Sequence, residues 1–236
     1  MSRVSNLLIK PFIIVLALVV FACDREDPGP LQEVHKDFVV TDFDRLEMGS
    51  GLRIRVDQAN FFSVSVKGDR RNVNDLEVYK QGNTLVIEFE DQKDRHHDTY
   101  IDITMPVLTA VNFSGASESK IRGFESDQID LYLSGASVCQ VDATFNRVDL
   151  VVSGASEVIM FGDGAELVGE LSGASSLKAF EYPVKEAVLE LSGASSGKVT
   201  VTDALDVTAG GASSVLYRGE PSVEANTSGA SSVVKD

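Results

Sequence analysis

The tetrapeptide Ser-Gly-Ala-Ser first stands at Ser114–Ser117 and returns from Ser134, Ser153, Ser172, Ser192 and Ser228, with Gly210 opening a further copy as Gly-Gly-Ala-Ser. Successive starts are 20, 19, 19, 20, 18 and 18 residues apart. A short and nearly fixed period means one structural unit stacked on copies of itself. It also rules out strand–helix–strand units, which need about 30 residues each.

Alternation around the motif identifies the unit. Ile129, Leu131 and Leu133 precede the second copy, and Val148, Leu150 and Val152 the third. Leu167, Gly169 and Leu171, then Ala187, Leu189 and Leu191, then Leu205, Val207 and Ala209 precede the next three. After the motif, Cys139 and Val141, Val158 and Met160, Leu177 and Ala179, and Val215 and Tyr217 repeat the pattern. A period of two means strands with one face inward. Gly162-Asp163-Gly164, Tyr182-Pro183 and Gly219-Glu220-Pro221 mark looser returns. No helical period follows residue 30. The expectation is an all-β chain whose residues 111–236 wind as a parallel β-helix of ~19-residue coils. Its hand is right by the usual chirality of such connections.

The motif is expected to be the corner of that coil. Gly115, Gly135, Gly154, Gly173, Gly193, Gly211 and Gly229 would supply the positive φ of a sharp bend. The alanine is expected to point into a tight bend, and the serines to bond neighbouring coils or corner amides. A rival reading makes the serines nucleophiles. That needs a base within hydrogen-bond reach, yet His35, His96 and His97 all lie upstream of the first motif. No Gly-x-Ser-x-Gly elbow is present either. The structural reading prevails, and no catalytic residue is assigned.

Residues 37–110 are β-rich but irregular. Phe38–Val40, Leu52–Val56, Phe62–Val66, Leu76–Tyr79, Leu85–Phe89 and Tyr100–Thr104 read as strands, with Gly49-Ser50-Gly51, Lys67-Gly68-Asp69 and Gln81-Gly82-Asn83 as turns. A solenoid end exposes unpaired backbone, so this segment is expected to cap the rod or form its first, looser coils. At the other end Ala225 and Thr227 replace larger inward residues. Self-association through that last coil is a further expectation.

The amino terminus reads as an address. Arg3 and Lys10 precede Phe12–Ala22, an unbroken apolar run with the length of a secretory signal's core and too short to span a bilayer. Val20-Phe21-Ala22-Cys23 resembles a bacterial lipobox, which makes Cys23 the lipid attachment site and residues 1–22 a signal peptide. Residues 23–36, with Asp24-Arg25-Glu26-Asp27 and Pro28-Gly29-Pro30, read as a tether. The acidic stretch after the cysteine resembles a surface-export signal. The expected location is the outer membrane facing outward, with the periplasmic face as the alternative, and the lipid as the membrane contact. Cys139 is the only other cysteine, so no disulfide forms within the mature chain, and it is read as a small buried hydrophobe. A net charge of −15 excludes nucleic acid as a partner.

Stacking sets outward acids abreast. Asp130 and Asp149 share one offset from the motif, with Asp206 and Glu224 further along it, and Glu170 and Glu190 share another. Like charges abreast are mildly unfavourable, and calcium takes such carboxylates. These four, Asp130, Asp149, Glu170 and Glu190, are weak calcium candidates, with solvated surface the simpler account and no cofactor implied. A retaining glycosidase needs two carboxyls about 5 Å apart, but any two acids on adjacent coils meet that distance. Asp94-Arg95-His96-His97-Asp98 is read as a solvated loop, since neighbouring strand residues face opposite ways.

The segments FDRLEMGSGLRIRV (Phe43–Val56), SVSVKGD (Ser63–Asp69) and DLEVYKQGNTLVIEF (Asp75–Phe89), followed by serial SGAS coils, resemble the bacterial family called putative auto-transporter adhesin head GIN domain. The resemblance covers roughly residues 37–234. It implies a secreted or surface β-helix and carries no catalytic or binding residues with it. The functional expectation is a non-catalytic envelope lipoprotein that offers its surface to an envelope protein or glycan. A purely structural role and a carbohydrate-active enzyme are the alternatives. Glycan platforms usually expose aromatic rings, and this chain has no Trp and five Tyr.

Overall fold

The computed structural model describes residues 29–91 and 93–236. Eight strands and a short helix lead into the repeats. They are β1 (Glu33–Phe38), β2 (Arg45–Met48), β3 (Arg53–Gln58), β4 (Ser63–Asp69), α1 (Arg70–Asn74), β5 (Leu76–Gln81), β6 (Thr84–Phe89), β7 (Thr99–Met105) and β8 (Ala110–Phe113). The repeats follow as β9 (Glu118–Leu133), β10 (Val138–Val152), β11 (Glu157–Leu171), β12 (Ser176–Leu191) and β13 (Ser196–Ala209). The chain closes with β14 (Ser214–Arg218), β15 (Ser222–Thr227) and β16 (Ser232–Lys235).

Each of β9 to β13 runs from one SGAS corner to the next, bending midway. All pair in parallel with the coil before and after. The result is a β-solenoid with two strand layers per coil and a core between them. Ile129, Val148, Leu167, Ala187 and Leu205 stand in one direct register row, and none is more than 1 % exposed. Facing them, Cys139, Val158 and Leu177 form a row that is fully shielded. Each Ile, Val and Leu among them contributes roughly 1.5–3 kcal/mol of burial.

The uneven repeat length has a local cause. Pairing on both sides of every corner keeps the motifs in one column, so the extra or missing residue is absorbed at the midway bend. Register is unbroken between β10 and β11, whose coils are equal. It slips between Ile159 and Phe161 against the longer β12 coil, and again around Val184 against the shorter β13 coil.

The corners form a main-chain ladder. The amides of Ala136, Ala155, Ala174, Ala194, Ala212 and Ala230 each donate to the glycine carbonyl one coil below, at 2.7 Å. Gly154 shows why glycine is required. Its φ is +74°, and a Cβ there would stand 2.4 Å from the Gly135 carbonyl oxygen. The alanine side chain does not enter the bend as expected. From Ala116 to Ala212 it is exposed, while the second serine is buried instead. Ser137 and Ser195 donate back to the carbonyls of Ser134 and Ser192, at 2.9 and 2.8 Å. The turn rolls the alanine outward because its amide, not its methyl, meets the neighbouring coil.

The strands from β1 to β8 build more of the same column, out of chain order. β2, Gly49-Ser50-Gly51 and β3 form a coil beneath the first SGAS corner, with β2 parallel to β8 and β3 parallel to β9. β6 and β7 stack in parallel on its other side. Antiparallel β4 and β1 then cover β7, and antiparallel β5 covers β6. Strands set against the stacking direction end the rod.

Several expectations change here. The tether was expected to run to residue 36, but Glu33–Lys36 are the first four of the six residues of β1, held by pairing to Lys67, Gly68 and Asp69 among others. Of Phe38–Val40 only Phe38 is strand, as the last residue of β1, and Arg45–Met48 is a strand not anticipated. α1 is too short to show a period. It starts because Asp69 caps it, accepting from the Arg71 amide. The signal region, Cys23 and the Asp24–Asp27 run lie outside the described residues.

Candidate functional site

Parallel stacking turns every outward offset into a row along the rod, and the strands before and after the corner present two different faces. The face before the corner carries the four calcium candidates. Asp130, Asp149, Val168, Val188, Asp206 and Glu224 form one direct row. Tyr132, Val151, Glu170, Glu190, Thr208 and Asn226 form the next.

The four calcium candidates fall into two different settings. Asp130 and Asp149 are abreast, but Gln128 donates from Nε2 to both, at 3.1 and 3.0 Å. Arg147 adds two bonds to Asp149, at 2.7 and 2.6 Å, and one to Glu166 at 2.5 Å. Those bonds, Asp149 first, hold the Arg147 pKa above its ordinary value. This pair already accepts hydrogen bonds from side chains, and Arg147 brings one positive charge to it through Asp149. Glu170 and Glu190 are likewise abreast and border a shallow groove of about 560 Å³ with Thr208 and Asn226. Among the described residues no three His, Cys, Asp or Glu side chains converge.

The face after the corner is different. Arg55, Lys120, Gln140, Ile159, Lys178, Lys198, Leu216 and Val234 stand in one row, each the direct partner of the next. From Arg55 to Val234 that row holds four cations and no acid, in a chain of net charge −15, and Asp102 is the next partner beyond Arg55 at the cap end. At its cap end a groove of about 350 Å³ is lined by Arg53, Arg55, Lys67, Tyr100, Asp102, Glu118 and Lys120. Tyr100 is 47 % exposed and lies between Lys67 on β4 and Arg53 on β3. Arg55 pairs with Asp102 at 3.4 Å, Lys67 with Glu33 at 3.2 Å, and Arg53 with Glu118. Further along, Arg218 lies over the Phe180 ring at 3.9 Å. Sequence reasoning followed the repeated acids and missed this row. The signal was there, since Lys120, Lys178 and Lys198 share one offset from their motifs.

The His96–His97 loop joins β6 to β7 and is less solvated than expected. Arg95 stacks on Phe89 at 3.5 Å and pairs with Asp75, leaving its side chain 12 % exposed. The His97 carbonyl accepts from Asn72 at 2.9 Å, and His96 stays exposed. Burial raises the Asp75 pKa, but Lys93 and Arg95 outweigh it and the net shift is downward. Cys139 is fully buried as expected, and burial pushes its thiol up to about 11.

The family model described as "Putative auto-transporter adhesin, head GIN domain" matches residues 42–221. The chain belongs to this family. The match runs from β2 to β14 and takes in the out-of-order strands of the cap other than β1. No curated protein matches the chain. Solved structures share the fold at low identity. A putative adhesin from Bacteroides fragilis aligns with TM-score 0.76 and 19% identity, covering 86% of this chain and 96% of its own. A putative adhesin from Parabacteroides merdae gives 0.70 and 17%, with the same coverage of 86% and 96%. A putative lipid binding protein from Parabacteroides distasonis gives 0.71 and 16%, again over 86% and 96%.

Proposed function

We propose that the protein is a non-catalytic, adhesin-like lipoprotein of the cell envelope, anchored through Cys23 and holding its rod outward to bind a partner. Membership of a family named for adhesin heads supports this reading. The observation that carries it is the pair of uninterrupted outward faces, on which every coil from β9 to β13 adds one more copy of the same offsets.

The chemistry of the corners fits a scaffold. The second serine of each motif from Ser117 to Ser213 is at most 1 % exposed, and their hydroxyls bond main chain or one another. A nucleophile needs the opposite arrangement, an open hydroxyl beside a base. The abreast carboxylates of Asp130 and Asp149 already accept hydrogen bonds from Gln128 and Arg147.

Three measurements test the reading. Palmitate label should enter the wild-type chain and not Cys23→Ala. Protease added to intact cells should degrade the protein. Cells lacking it should attach less well to their normal substratum. Label retained in Cys23→Ala removes the anchor, survival under protease removes surface display, and unchanged attachment removes the adhesin role.

A further inference from the structure

We propose that the row Arg55–Lys120–Lys178–Lys198, with Tyr100 at its cap end, is a binding track for a linear acidic polysaccharide lying along the rod. The proposal deepens the adhesin reading and rests on it.

The geometry comes first. Arg55 and Lys198 are five strand spacings apart, roughly 24 Å at ~4.8 Å each, and every position between them is an outward partner of the next. The cations are therefore fixed in a line by main-chain hydrogen bonding, not by chance contact. Gln140 and Ile159 occupy the gap between Lys120 and Lys178, so the charge is spaced rather than dense.

The electrostatics follow. Within the row the one acid is Asp102, the partner of Arg55 at the cap end, so from Lys120 to Val234 a polyanion meets no acid in the row itself. The salt bridges that flank it, Arg55–Asp102, Lys67–Glu33 and Lys178–Glu157, join side chains that are mostly half exposed. Such pairs are worth little, so the cations exchange partners at small cost.

The partner's class follows from what surrounds the charges. Asp102, Glu118 and Glu157 interleave with the cations. They would repel the closely spaced phosphates of a nucleic acid but can accept hydrogen bonds from sugar hydroxyls. Tyr100 offers an exposed ring between two cations, where the apolar face of a sugar stacks while its acidic group reaches Lys67 or Arg53. A polymer with hydroxyls on every residue and charge on some is the chemistry this row fits. The acidic group is a carboxylate or a sulfate ester.

Titration calorimetry of the purified full-length protein decides the matter, with oligogalacturonate, dextran sulfate and neutral dextran as probes. One of the two polyanions should bind, more weakly as salt rises, and neutral dextran should not. The polyanion that binds identifies the acidic group. Lys120→Glu with Lys178→Glu should weaken binding at least about tenfold, and Tyr100→Ala about fivefold, whereas Glu170→Gln with Glu190→Gln on the opposite face should not. Lys120→Gln with Lys178→Gln, which creates no new charge, should fall between. Binding of neither polyanion, binding indifferent to the lysine substitutions, or tighter binding of duplex DNA or anionic lipid vesicles overturns the proposal. If the lysine variants lose polyanion binding while cells carrying them still attach normally, the track stands and attachment uses another surface.

Discussion

The Tyr182 hydroxyl bonds both main-chain groups of Phe145, a residue two coils away, accepting from its amide and donating to its carbonyl at 3.1 Å each. The intervening coil makes room with Gly164, the direct partner of Phe145, where a Cβ would stand 2.9 Å from the hydroxyl. One side chain thus ties three coils together at the midway bend, where the register slips and main-chain pairing is weakest. Tyr182→Phe should cost about 1–3 kcal/mol in denaturant unfolding, because two hydrogen bonds to a buried group are lost. Burial pushes the Tyr182 pKa up to about 12, the Phe145 bond working the other way. A raised folded pKa means stability that is complete below about pH 10, the unfolded value, and lost as pH rises toward 12. Tyr182→Phe should flatten that alkaline limb, read as stability against pH.

Gly154 and Gly51 separate strain from crowding. Both have positive φ, +74° and +75°, but a Cβ on Gly51 meets nothing within 4 Å, whereas on Gly154 it meets the Gly135 carbonyl oxygen at 2.4 Å. Gly51→Ala should cost about 1–2 kcal/mol, the left-handed penalty alone. Gly154→Ala should cost about 3 kcal/mol or more, since the ladder must also shift. Equal losses in urea would show that φ alone sets the choice of glycine.

Gly197 is a different case. It is an inward strand position in the Leu177–Val215 row, and a Cβ there would lie 3.7–3.8 Å from Val215, Leu189 and Leu191. That is ordinary contact with apolar neighbours. Gly197→Ala should stabilise the fold by about 0.4–1 kcal/mol, by restricting the unfolded chain and adding contacts. A higher denaturation midpoint at unchanged slope is the expected readout.

Asp69 sets the acid limb. Its carboxylate is 1 % exposed and accepts from the amides of Gln32 and Arg71, both at 2.9 Å, and from the Arg71 guanidinium at 2.7 and 2.8 Å. The Arg71 bond, ahead of opposing burial, holds its pKa well below the usual carboxylate range. A depressed folded pKa gives stability that is present above about pH 4, the unfolded value, and lost as pH falls below it. Asp69→Asn should cost about 1–3 kcal/mol at neutral pH and remove most of the difference between pH 6 and pH 3 at this site.

Reading the chain from Ser114 onward was straightforward for a physical reason. Each coil repeats the same alternation, and a repeat that pairs with itself fixes register, direction and inward face at once, as Ile129, Val148 and Leu167 show. The cap resisted for the opposite reason. Arg45–Met48 and Thr84–Phe89 are neighbours only because the chain leaves the column and returns on its far side, and no local pattern records that detour. The direction of the alanine methyls was also misjudged, because a corner's sequence gives its bend but not which atom faces the next coil.

Composition, period and the glycine at each corner determined, without any coordinates, that this protein is a parallel stack with its acids in rows. Local periodicity depends only on near neighbours along the chain, so it survives in the one-dimensional record. What tertiary structure alone decided is which rows share a face: the cations of Arg55, Lys120, Lys178 and Lys198 on one side, Glu170 and Glu190 on the other. That segregation is a property of the coil's two layers, and it exists only once the midway bend has turned the chain back on itself.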